Sequence, residues 1–153
     1  MLGFDLTNRS LYDMLYPIVA NQRVIAINQD WAGSAGTLVA NSSTYFEAPT
    51  VHGASGKLRP GNKSDISFPE WQVWRKPLSN GAQAVLIINI DTQPHTVQVS
   101  FAELGLGGRK IAATDAWTGQ TVAVGEKGLD LGTITGHGSV FLLLTGAQEL
   151  DTM

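Results

Sequence analysis

The sequence predicts a mainly β protein, an antiparallel Greek-key β-sandwich of about eight strands preceded by a short strand-helix remnant of α/β type. From about residue 37 the chain breaks into short apolar or alternating runs with turn residues every 8–12 positions, the rhythm of sandwich strands. Residues 1–33 instead join an apolar start to a stretch of helical spacing, as in one unit of an α/β fold. A chain of 153 residues without cysteine still buries roughly 68–70% of the surface its unfolded form exposes, so a core needs no cross-links. The expected organisation is a unit over 1–33, then a sandwich over 34–150 with a long loop at about 40–69.

Met1 to Leu6 is a short apolar strand candidate, and Thr7-Asn8-Arg9-Ser10 offers side chains that accept from the free N–H groups of a following helix. Leu11, Met14, Leu15, Ile18 and Val19 then share one helix face. Pro17 is expected to shorten or kink this helix, because it lacks a donor and crowds the preceding turn. Val24-Ile25-Ala26-Ile27-Asn28 reads as a short buried strand or extended segment, ending in Gln29-Asp30-Trp31-Ala32-Gly33. The loop at 40–69 is rich in Ser, Thr, Gly, Asn and Pro and has room for one short strand at Tyr45-Phe46.

Trp71 to Lys76 is a strand, and Asn80-Gly81 a hairpin turn, since both residues tolerate positive φ. Ala84 to Ile90 is nearly all apolar, as in a strand covered on both faces. After the break at Asp91 to Pro94, strict alternation from Thr96 to Phe101 sends Val97, Val99 and Phe101 inward. Lys110 to Trp117 and Gln120 to Val124 flank a second hairpin turn at Thr118-Gly119. Thr133 to Thr135 and Val140 to Thr145 supply the closing strands, with His137 a turn residue between two glycines.

Charged residues make up 15% of the chain, below the usual ~25%, and 10 basic against 13 acidic side chains leave a formal charge of −3. No segment concentrates the bases, so neither nucleic acid nor an anionic membrane is an expected partner. The longest apolar runs are too short to span a bilayer. The start of the chain shows no basic n-region, long apolar h-region or cleavage site, so it reads as soluble without an export signal, its compartment open.

Without cysteine there is no thiolate nucleophile or thiolate metal site. His52, His95 and His137 stand far apart in sequence, none is read as paired with a carboxylate at i, i+4 or H-x-H spacing, and no metal or cofactor is expected. Gly105-Leu106-Gly107-Gly108 reads as a tight turn, because no helix follows to offer N–H groups to a phosphate. Asp30, Glu47, Glu70 and Asp115 lie in separate elements and read as solvated or turn-capping carboxylates. Asp5 is the one candidate for substrate binding, because it directly follows an expected parallel strand, where α/β folds place their sites. No residue is assigned a catalytic role. Trp31, Trp71, Trp74 and Trp117, with Tyr45 and Phe46, could stack on sugar rings, although Trp71 and Trp74 point to opposite strand faces and at least one belongs to the core. N-x-S/T triplets make Asn8, Asn41 and Asn62 candidate N-glycosylation sites, mildly favouring a secretory setting.

Leu2-Gly3-Phe4-Asp5-Leu6, the helix after it and Val24-Ile25-Ala26-Ile27-Asn28-Gln29-Asp30 resemble the last barrel strand, last helix and exit segment of glycoside hydrolase family 27, the α-galactosidases and α-N-acetylgalactosaminidases. Trp71 to Gly81, Ala84 to Asn89, Asp115 to Gly119 and His137 to Leu143 are similar, in that order, to that family's C-terminal β-sandwich. Trp31-Ala32-Gly33 stands where family members usually carry Pro-Leu-Gly, and the connection before Trp71 is longer than usual. The resemblance implies an Asp nucleophile and an Asp acid/base on earlier barrel strands, upstream of Met1, with Asp5 outside that pair. It therefore implies a C-terminal region that is inactive alone, whose partner is the missing (β/α)8 barrel and whose uncovered apolar face favours self-association. The alternatives are a free-standing carbohydrate-binding or protein-interaction module and a hydrolase with a new carboxylate pair.

Overall fold

The computed structural model describes residues 7–47 and 67–146. Helices α1 (Arg9–Val19) and α2 (Gln22–Gln29) precede β1 (Thr37–Asn41), β2 (Tyr45–Glu47), β3 (Ser67–Pro69), β4 (Trp71–Pro77) and β5 (Gln83–Asn89). There follow β6 (His95–Ser100), β7 (Ile111–Asp115), β8 (Thr121–Val122), β9 (Gly128–Ile134) and β10 (Ser139–Gly146). Six strands form one sheet in the order β1-β4-β5-β10-β7-β8, while β6 pairs with β9 and β2 with β3. The pairings are all antiparallel, so the mainly β expectation holds.

The two hairpins turn where the sequence places them. Gly81 takes φ 81° between β4 and β5, and the Asn80 side chain accepts from Ala82 N. Gly119 takes φ 76° between β7 and β8, and the Asp115 carboxylate accepts from Trp117 N, Thr118 N and Thr118 Oγ1. Gly105 and Gly108 also have positive φ, as the tight-turn reading requires. His137, at φ 56°, is the turn residue before β10.

Alternation sorts side chains between two layers. Val73 of β4, Val85 and Ile87 of β5, and Leu142 and Leu144 of β10 face inward to meet Val97 and Val99 of β6, Phe101 just after it, and Leu129 of β9. This is the main core. β9 begins five residues before the expected Thr133, and its register with β6 shifts between Thr96 and Gln98, beside Gly132 at φ 65°. The extra residue reverses the alternation, so Leu129 and Ile134 are both buried despite their odd spacing.

Val24 to Asn28, expected as a strand or extended segment, is part of helix α2. The Asn21 side chain accepts from Arg23 N and Val24 N at the first turn, and Lys76 Nζ donates to the carbonyls of Ile27 and Asn28 at the last. Both orphaned ends are thus satisfied, which outweighs the strand preference of the β-branched run. In α1, Asn8 is the N-cap, accepting from Leu11 N, and the helix passes through Pro17 to Val19 before ending at Ala20. Tyr45 and Phe46 do form a short strand, with Phe46 opposite Phe68. Met1 to Leu6, His52 and Asn62 lie outside the described residues. No described helix is long and apolar enough to cross a membrane.

Candidate functional site

The inner face of the six-stranded sheet is filled by the core; its outer face is apolar too. Trp74 of β4, Ala84 and Leu86 of β5, and Phe141 and Leu143 of β10 point outward by alternation. Helix α2 lies on this face and buries Ile27 with Leu78, Ala82, Ala84 and Ala116. Three polar ties hold it. Asn21 Nδ2 donates to Trp117 O at 2.9 Å, Lys76 caps the last carbonyls, and Asp30 accepts from Ser79 N and Ser79 Oγ, both at 2.7 Å. Those two bonds, with the positive charge of Lys76, hold the Asp30 carboxyl below its ordinary pKa.

One helix of eight residues cannot cover a six-stranded sheet, and a groove remains on each side of α2. One, of about 260 Å³, runs past Arg23, Ala26, Asn80 and Leu143. The other, of about 380 Å³, is lined by Val24, Ile27, Trp74, Leu86 and Phe141. Beyond them α1 presents an apolar stripe and buries none of its residues. Met14 is 59% exposed and Ile18 52%. On its flank Tyr12 stacks on Tyr16 at 4.9 Å, and Arg9 pairs with Asp13. Contiguous exposed apolar surface of this kind is typical of interaction sites.

The residues singled out from sequence are dispersed. Asp30 and Asp115 are the capping carboxylates expected of them. Asp5 and Asn62 lie outside the described residues. The Asn8 side-chain oxygen caps α1, whereas the Asn41 amide nitrogen, where a glycan would attach, donates to Ser42 O and Tyr45 Oη. Trp71 packs against the core and Trp74 lines the outer groove, on opposite faces of β4 as alternation requires. Trp117 meets Phe141 edge-on at 6.4 Å.

One cluster was missed from sequence. Glu70, between β3 and β4, Asp91, after β5, and His95, opening β6, converge with donor atoms within 4.8 Å of one another. His95 Nε2 lies 2.8 Å from Asp91 Oδ2, and Nδ1 lies 3.7 Å from Glu70 Oε2. Ser42 Oγ donates to Glu70 Oε2, while Thr92 N and Oγ1 donate to Asp91 Oδ1. The His95 bond, foremost, keeps the Asp91 carboxyl below its ordinary pKa. Asp91 stands only four residues before His95, a signal the sequence reading passed over; Glu70 is brought in by the sheet, its carbonyl accepting from Ile90 N and Asp91 N.

Comparison with known proteins places this architecture. The description "Alpha galactosidase C-terminal beta sandwich domain" matches residues 69–144, from the end of β3 into β10. Residues 69–144 thus match the C-terminal sandwich of α-galactosidases, and the chain is similar to the C-terminal region of such proteins. A probable α-galactosidase of Dictyostelium discoideum is 29% identical over 130 residues, which are 84% of this chain and 28% of that protein. An α-galactosidase of Cyamopsis tetragonoloba is 26% identical over 122 residues, 79% of this chain and 23% of that one. The sandwich region therefore spans about a quarter of the length of these relatives. Among solved structures, α-galactosidase I of Mortierella vinacea superposes with a TM-score of 0.65 at 18% identity, over 95% of this chain and 31% of that one. A family GH27 β-L-arabinopyranosidase of Geobacillus stearothermophilus reaches 0.62 at 19%, over 86% and 24%. These structures share the sandwich fold.

Proposed function

We propose that this sandwich region packs against and supports the (β/α)8 catalytic barrel of an α-galactosidase-like glycosidase, and that the 153-residue chain alone hydrolyses no α-galactoside. The observation that carries the proposal is the uncovered apolar surface formed by α1 and the outer face of the six-stranded sheet. A catalytic domain seated there removes that surface from water, at roughly 25 cal/mol per Å² of apolar area. The relatives named α-galactosidase extend far beyond the part this chain matches, in keeping with such a partner.

The described carboxylates support the inactive reading. A retaining glycosidase holds two carboxyl groups about 5–5.5 Å apart with the sugar between them. Asp30 and Asp115 are spent on Ser79 and on the β7–β8 turn. Glu70 and Asp91 approach each other, but the imidazole of His95 occupies the space between them. In the isolated chain the uncovered face favours self-association, seen as a sedimentation coefficient that rises with concentration.

The test has two arms. The chain alone is incubated with an aryl α-galactoside and is expected to release no nitrophenol above buffer. The chain is also grafted in place of the matching region of the Dictyostelium relative, and the chimera is expected to hydrolyse the same substrate. Linear release by the chain alone overturns the inactive reading, and a folded but inactive chimera overturns the supporting role.

A further inference from the structure

The corner where Glu70, Asp91 and His95 meet holds more negative charge than the described residues balance. Among them no lysine or arginine pairs with either carboxylate, and His95 is the common neighbour of both. All three side chains are about four-fifths buried, with exposures of 22%, 19% and 21%. They are also fixed. Ser42 Oγ holds Glu70, Thr92 N and Oγ1 hold the far oxygen of Asp91, and His137 N donates to Asp91 O at 2.9 Å.

The tautomer follows from these partners. An ionised Asp91 accepts, so Nε2 of His95 donates to it across 2.8 Å. Nδ1 then faces Glu70 Oε2 at 3.7 Å, too far for a hydrogen bond and suited to two donors sharing one cation. A divalent transition ion sits about 2.0–2.2 Å from imidazole nitrogen and carboxylate oxygen, which donors at this separation allow at an open angle with space for water. A carboxylate that hydrogen-bonds the far nitrogen of a ligating histidine is the usual orienting partner in such sites.

We propose that His95 Nδ1 and the Glu70 carboxylate bind a borderline divalent transition ion of the Zn2+ class, with Asp91 as the positioning residue for His95 and water completing the coordination. Imidazole with carboxylate selects this class over Mg2+ and Ca2+, which seek an all-oxygen shell. The bound ion ties the β3–β4 junction to the β5–β6 turn. It is independent of the barrel partner proposed above.

Calorimetric titration of the full chain with Zn2+ tests this, with Co2+ as a spectroscopic substitute whose visible absorption reports coordination. One equivalent is expected to bind, to raise the melting temperature and to shift the Nδ1 nitrogen resonance of His95 while leaving that of His137 in place. Asp91→Asn keeps both ligands and is expected to weaken binding roughly 10–100-fold. His95→Ala is expected to abolish it. Glu70→Gln keeps an oxygen that accepts from Ser42, so it tests loss of the ligand in a folded chain, and binding is expected to be lost there too. His137→Ala is expected to bind as the parent does. Binding that survives Glu70→Gln, an unmoved His95 resonance, or no binding up to millimolar Zn2+ overturns the proposal, the first of these meaning an adventitious ion only.

Discussion

Asn89 is fully buried in β5, and its side chain is saturated: Nδ2 donates to Gln93 O, Ile134 O and Thr135 O, and Oδ1 accepts from Asp91 N. It joins the end of β5 to the end of β9. Asn89→Ala removes the donor from those carbonyls, leaving the buried Ile134 carbonyl without this partner, and is expected to cost about 1–3 kcal/mol, read as a lower urea midpoint. Acid acts at other residues. Asp30 and Asp91 are held below the ordinary 3.8, so they bind fewer protons folded than unfolded just below that pH. Their contribution is complete above the unfolded value and is lost as pH falls through the depressed native one. Melting temperature is expected to drop below about pH 4, and less steeply in Ser79→Ala, which removes the hydroxyl partner of Asp30 and leaves the backbone bond. Capping carboxylates such as Asp115 were legible in sequence because the turn beside them was. The Glu70–Asp91–His95 cluster was not, because strand pairing brings Glu70 to the turn after β5 and no local pattern records that.

Helices α1 and α2 are held in opposite ways. Ile27→Ala, in α2, removes a side chain buried against Leu78 and Ala116, and is expected to cost about 2–4 kcal/mol. Ile18→Asp, on the open face of α1, is expected to change the stability of the isolated chain by less than about 0.5 kcal/mol and yet to impair the barrel chimera. Denaturant melts of both variants check this. The misreading of α2 has the same physical root. A run of valine and isoleucine favours a strand locally, whereas Asn21 at its start was a readable cap and Lys76 on its last carbonyls was a tertiary event. β5 and β6 were legible because continuous and alternating apolar runs report their own burial, while β9 was obscured by the bulge at Gly132 that reverses its alternation. At the turn before β10 the backbone leaves no room for a side chain. A Cβ on Gly136 would run into the Thr92 carbonyl, so Gly136→Ala is expected to cost about 3 kcal/mol or more.

At the scale of the whole molecule, the described residues close the sandwich on one side of its large sheet and leave the other open. The inner side forms the main core with β6 and β9, and the outer side carries α2, two apolar grooves and the unpacked α1. The antiparallel class was legible from strand rhythm, but the open face was not, because alternation alone does not say which apolar face meets a partner. The same sandwich fold recurs in an α-galactosidase and in a β-L-arabinopyranosidase. The central claim is that α1 and the outer sheet face are built to be covered by a second domain. Hydrogen–deuterium exchange on the monomeric chain tests it most directly. The amides of α1 are expected to exchange close to the unprotected rate while those of β4, β5 and β10 stay slow; protection of α1 equal to that of β5 in the monomer would contradict the account.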